Sequence, residues 1–283
     1  MNKPDRLIGL IAAAALLLVP SSLTASAQAA STLPTVTVTL ASNSSIAVSG
    51  TLQSGAVNLA LNAAPGLKEP SPTLVLLKPG VTVAEVDAYL KTNMAPKDPN
   101  TASKYVSIVF DAEASPGKTT EAQTYLQPGT YVALNGAGNN SAKWPTTSFV
   151  VTPAASPASL PAPAATEQSI DFAFRGPSTL HDGQLVRFEN AGYVVHMDLA
   201  FPVKSVASAK KVVGLLKAGK EKGLEKLIAG TPVNFAGPLS TGGYQQETIS
   251  AKPGIYVQVC FMPTQDGRSH TMLGMERIIK ITK

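Results

Sequence analysis

Cysteine occurs once in this chain, at Cys260, so no internal disulfide can form. Without a second cysteine there is no CxxC redox pair. Histidine occurs three times, as His181, His196 and His270. No Ser–His–Asp signature and no Gly-rich phosphate loop is present, and GAGNN at 136–140 is a turn cluster with no dinucleotide-binding pattern around it. Charged residues are sparse at 14% and aromatics at 6%. The lysines are not interleaved with aromatics, which excludes a nucleic-acid surface of the familiar kind. Long apolar runs are also lacking after the first twenty residues.

The one such run is LIGLIAAAALLLV at 7–19, preceded by Lys3 and Arg6 and followed by the small residues ASAQAA. It is shorter than the roughly 20 residues that span a bilayer. The pattern predicts a signal peptide over 1–29 and a secreted or periplasmic, extracytoplasmic mature protein with no integral membrane segment. Export makes the lone cysteine informative, because exported proteins usually pair their thiols. Cys260 is a buried bystander, a bridge to another molecule, or a ligand.

What the sequence does hold is alternation. VTVTL, SIAVS, VNLAL, IDFAF, LVRFEN, YVVHMDLAF, QQETIS and IYVQVC alternate apolar and polar residues between Gly, Pro and Asn turns. Period two predicts strands of a β-sandwich. A Pro/Ala/Ser stretch at 153–166 is a linker, dividing the chain into 30–152 and 167–283. The two parts repeat one order of segments. GAVNLALNAA (55–64) matches GQLVRFENAG (183–192), and LVLLKPGVTVAEVDAYLK (74–91) matches LAFPVKSVASAKKVVGLLK (199–217). QPGTYVALN (127–135) matches KPGIYVQVC (252–260), and TSFVVT and RIIKIT close the two halves. The fold class is therefore mainly β: two tandem Greek-key sandwiches, each with a short inserted helix. In the second helix Val206, Ala209, Val212, Val213 and Leu216 form the expected apolar stripe.

Charge is uneven. Residues 30–152 carry seven lysines and seven acids, whereas 209–227 alone hold six lysines against two glutamates. The lysine-rich helix is a solvated face or a docking surface for an acidic partner.

The metal-capable groups gather in the second half: His181, His196, Cys260, Met262, His270, Met272 and Met275. His181, in STLHDGQ, reads as a turn residue. His196 ends an apparent strand, Cys260 ends IYVQV, and His270 and Met275 lie in the loop that follows. Sandwich loops cluster at one end, so these groups can converge.

Residues 167–283 resemble a cupredoxin, the blue-copper domain, and are most similar to uncharacterised exported cupredoxin-like proteins with an HxM strand and a VCF-P—DG—H—GM ending. LVRFENAGYVVHMDL resembles the strand that carries the first histidine ligand. PGIYVQVC with H-TMLG-M resembles the closing strand and ligand loop. The resemblance implies one copper ion held by His196, Cys260, His270 and Met275, with Met272 a lesser axial candidate, and electron transfer or copper holding as the function. Two imidazoles, a thiolate and a weak thioether suit both copper oxidation states. The nine residues between Cys260 and His270 exceed the plastocyanin spacing. One histidine remains after His196 and His270, which argues against a self-contained multicopper oxidase or nitrite reductase. The first half has no histidine or cysteine, and Asn135 stands where Cys260 aligns, with Ser71 near the place of His196. It reads as a structural or partner-binding domain. The competing readings are a metal-free tandem sandwich used for binding or adhesion, and a redox-sensing thiol.

Overall fold

A computed structural model describes residues 33–43, 45–220 and 222–283. The expected signal peptide lies outside these residues. The first half contributes β1 (Thr35–Leu40), β2 (Ile46–Gly50), β3 (Gly55–Ala63), β4 (Pro72–Leu77), α1 (Val83–Lys91), β5 (Val106–Asp111), β6 (Thr119–Leu126), β7 (Gly129–Asn135) and β8 (Thr146–Val151). The second contributes β9 (Ala165–Ile170), β10 (Ala173–Arg175), β11 (Thr179–His181), β12 (Leu185–Asn190), β13 (His196–Val203), α2 (Val206–Lys217), β14 (Val233–Leu239), β15 (Tyr244–Thr248), β16 (Gly254–Val259) and β17 (Glu276–Thr282).

The strand orders repeat. In the first half β2-β1-β3-β6 faces β5-β4-β7-β8; in the second β10-β9-β12-β15 faces β14-β13-β16-β17-β11. In each half the first strand pairs parallel with a later strand of the same sheet, β1 with β3 and β9 with β12. Both halves are cupredoxin-like β-sandwiches, and the segment matches in the sequence are matches of equivalent strands. Inward-facing alternation builds each core. Val36, Val38, Leu59, Leu61, Phe110 and Tyr131 fill the first, and Val186, Phe188, Phe235, Tyr256, Ile279 and Ile281 the second. IDFAF is not one strand: it breaks at Asp171–Phe172 into the hairpin of β9 and β10.

The halves share a sheet. β6 pairs antiparallel with its own counterpart β15, with Thr124 opposite Gln245 and Gln123 opposite Gln246. Beside this seam Ile108 and Ser240 exchange two 2.9 Å hydrogen bonds between β5 and the end of β14. Like strands meeting like gives the pair approximate two-fold symmetry. The Pro/Ala segment runs extended along the first half, where the Ala158 carbonyl accepts the Ala56 N–H at 2.9 Å.

Each helix covers the outer face of one sheet. Thr82 and Glu85 form a capping box on α1, and Ser205 caps α2. On α2 Ala209, Val212 and Leu216 are buried against Val257 and Val259, whereas Val206 is 49% exposed. At 3.6 residues per turn Val206 lies about 90° around the helix from the centre of that stripe. The helix stops at Lys217, and Gly219 takes the left-handed φ of 64° beyond it. Among the described residues no helix is long and apolar enough to cross a membrane.

Candidate metal centre

β13 and β16 pair antiparallel with Leu199 opposite Val259. That register brings His196, which opens β13, and Cys260, which follows β16, to one end of the second sandwich. The loop after Cys260 returns to the same place. The His270 N–H donates to the Met262 carbonyl at 2.9 Å and the Thr271 N–H to the Cys260 carbonyl at 3.0 Å. His270 opens a 3-10 turn that ends at Gly274, whose φ is 104°. Met275 follows, and its N–H closes the turn on the His270 carbonyl at 3.0 Å.

Three donor atoms converge. His196 Nδ1 and His270 Nδ1 are 3.1 Å apart, and Cys260 Sγ is 3.4 Å from the latter and 3.8 Å from the former. A point equidistant from all three lies about 2 Å from each, which is the length of a metal–nitrogen bond and just under the roughly 2.3 Å of a metal–sulfur bond. All three residues are at most 1% exposed. This group can hold one metal ion. Among the described residues it is the one such His/Cys/Asp/Glu cluster.

The surroundings set the proton on each group. Asp171, in the β9–β10 turn, accepts from His196 Nε2 at 2.7 Å, so Nδ1 presents a lone pair to the cluster. Burial pushes the Asp171 carboxyl up, but hydrogen bonds from the Tyr193 N–H, His196 and the Val194 N–H together hold it below its ordinary value. Burial lowers His196, opposed by Asp171. Burial and then His196 push His270 down to about 4, so it is neutral near pH 7. Burial pushes the Cys260 thiol up to about 12; a bound cation is what would drive off its proton. The Met197 N–H donates to Cys260 Sγ at 3.4 Å.

Met275 is fully buried beside Cys260 and Phe174. Met272 turns elsewhere. A Cβ on Gly219 would lie 3.0 Å from its methyl carbon, which puts the side chain against the end of α2. His181 ends β11 and hydrogen-bonds to Thr282 Oγ1 at 2.7 Å, apart from the cluster. His270 Nε2 is buried without a partner, and the Phe172 ring stands edge-on to its imidazole at 4.8 Å.

Sequence patterns did not point to Asp171, Phe172 or Gly192. Asp171 precedes His196 by 25 residues, and a carboxylate that aims a histidine leaves no local spacing to read. A Cβ on Gly192 would sit 2.6 Å from Asp171 Oδ1 and 2.7 Å from His196 Nε2, so glycine there makes room for the pair.

No protein-family model matches the chain, and no curated protein matches it in sequence. Among solved structures it is similar to a dithionite-reduced auracyanin from Roseiflexus castenholzii, at 20% identity over 42% of this chain and 95% of that one, with a TM-score of 0.25. It is similar to a purple cupredoxin from Nitrosopumilus maritimus, at 16% identity over 42% and 99%, with a TM-score of 0.23. A copper nitrite reductase from Nitrosomonas europaea aligns with both halves, at 13% identity over 88% and 94%, with a TM-score of 0.24. The donor set of this chain itself fits a type 1 copper site: two imidazole nitrogens and one thiol sulfur converge within 4.8 Å of one another at one end of a β-sandwich.

Proposed function

We propose that this chain is an exported mononuclear type 1 copper protein that passes single electrons or holds the ion, and that it is not itself an enzyme. The observation that carries this is the buried triangle of His196 Nδ1, Cys260 Sγ and His270 Nδ1, with sides of 3.1, 3.4 and 3.8 Å. Two imidazoles and a thiolate with a weak thioether are the donors of blue-copper sites, and Met275 is the buried thioether next to Cys260. Copper bound there would supply a one-electron Cu(I)/Cu(II) couple.

The protein's own groups do the rest. Asp171 fixes the tautomer and orientation of His196. The Met197 N–H donates to the sulfur, and such a bond would raise the potential of copper held there. Phe172, Met197 and Met262 pack around the cluster and exclude water. Lys210, Lys211, Lys217, Lys220, Lys222 and Lys226 are exposed on and after α2. Lys217 pairs with Glu276 at 2.7 Å, next to Met275. These lysines offer an acidic partner a docking face beside the ligand loop.

The copper-loaded full chain, reduced with ascorbate and reoxidised with ferricyanide, should lose and regain its visible band through one electron per chain over repeated cycles. Release of copper on reduction would overturn the carrier reading. Unaided turnover of nitrite or of a phenol would overturn the non-enzymatic one.

A further inference from the structure

Beneath α1 the first half contains a cavity of about 250 Å³. Its walls are Tyr89 and Leu90 of α1, Tyr105, Trp144 and the outer face of β4, β5 and β7. Pro238, Met262 and Pro263 of the second half close one side. The exposed turn at Gly138 and Asn139 sets its mouth.

Two polar side chains of the walls are turned to partners of their own. The Tyr89 hydroxyl meets Thr101 Oγ1 at 2.5 Å, and Trp144 Nε1 donates to the Ala137 carbonyl at 2.9 Å. Asp111 also lines the cavity and is 4% exposed. Ser71 donates to its Oδ1 at 3.0 Å and the Thr73 hydroxyl to its Oδ2. Each carboxyl oxygen here accepts one side-chain hydrogen bond and has room for a second. No basic side chain lines the cavity. A buried carboxyl without a cation is costly in a wall that only needs to pack. The second half also yields to it: a Cβ on Gly237 would lie 1.8 Å from Asp111 Oδ1. Burial pushes this carboxyl up to about 7, against the pull of Thr73 and Ser71.

We infer that this cavity is a binding site for a small, uncharged one- or two-ring molecule carrying a hydroxyl group, its rings against Tyr89, Tyr105 and Trp144 and its hydroxyl on Asp111. An apolar enclosure with one convergent polar group is the general form of a small-molecule site. A cavity of roughly 150 Å³ holds benzene, so the volume here admits a second ring. An anion would find no cation in the cavity to pair with. The inference does not depend on metal at the other site.

Calorimetric titration of the metal-free full chain with 2-naphthol tests it, with naphthalene and 2-naphthoate as comparison probes. 2-Naphthol should saturate at one per chain. Naphthalene, lacking the hydroxyl, should bind at least threefold more weakly and 2-naphthoate at least tenfold. Asp111→Asn should weaken 2-naphthol at least fivefold, and Ala95→Trp, which fills the cavity from its wall, should abolish binding. The absence of saturable 2-naphthol binding up to 1 mM would overturn the inference. So would equal binding of all three probes, or binding that survives Ala95→Trp unchanged.

Discussion

The two halves fold alike and end differently. Sheet register aligns Leu134 opposite Thr73 in the first half with Val259 opposite Leu199 in the second. Asn135 is thereby the equivalent of Cys260, Ser71 of Met197 and Pro70 of His196. In the second half the Met197 N–H donates to Cys260 Sγ at 3.4 Å. In the first the Ser71 N–H donates to Asn135 Oδ1 at 2.8 Å. The same backbone donor is satisfied in both, once by a thiol and once by an amide. In the first half an amide alone takes the donor that joins these strands. What the second half adds is two imidazoles on the thiol and a carboxylate behind one of them. That surplus, beyond what the fold requires, is the physical sign of a ligand site.

Breaking each half at the equivalent position should give the largest contrast. Cys260→Ser should eliminate the visible band and stoichiometric copper, while Asn135→Ala leaves both intact. Absorption and metal analysis of the two variants read this directly. Asp171→Asn comes next. It keeps the size of the side chain but removes the charge that fixes the His196 tautomer, and should weaken copper by about 10- to 100-fold in a competition titration with a chelator.

The first half offers a pH test. Asp111 has its folded value raised to about 7 from 3.8, so the folded state holds a proton that the unfolded chain has released. Its contribution to stability is full below pH 3.8 and is lost as pH rises through about 7. Asp111→Asn should remove this share of the slope, leaving those of the buried Asp198 and Glu247, and should gain about 4 kcal/mol at pH 8 relative to pH 4 when compared with wild type by urea melts. A wild-type profile parallel to that of the variant would show that the carboxyl is solvated. Asn135→Ala leaves the Ser71 N–H without its partner and should cost about 1–2 kcal/mol of stability. Asn100→Ala should have the smallest effect. Its amide oxygen accepts the Val195 N–H at 2.7 Å, one residue before His196, and its loss should weaken copper less than about threefold, because paired strands still hold the backbone.

The donors and the tandem repeat were legible because both are written along the chain. Alternation with period two gave the strands, and repeated segment order gave two sandwiches of one design. A lone cysteine between two histidines is a visible oddity in a chain whose first residues read as a signal peptide. Three features were not legible, each because it joins distant segments through space. Asp171 reaches His196 across a hairpin turn that the sequence disguises as one continuous strand. The β6–β15 seam pairs Gln and Thr residues that look like any solvent-facing row. The cavity near Asp111 depends on Gly237 in the other half leaving room for a carboxylate. Val206 was misplaced for a simpler reason: a regular spacing fixes a stripe but not where its centre faces.

The seam also decides how the central claim is to be tested. An isolated second half would lose the partner of β15, so the full chain is the right material. Metal-free protein should be given one equivalent of Cu(II) and its visible spectrum recorded. An intense sulfur-to-copper charge-transfer band that saturates at one ion per chain, and that is absent in Cys260→Ser and His270→Ala, is the predicted result. A colourless protein that releases its copper to a weak chelator would contradict the account and leave a tandem sandwich with two structural ends.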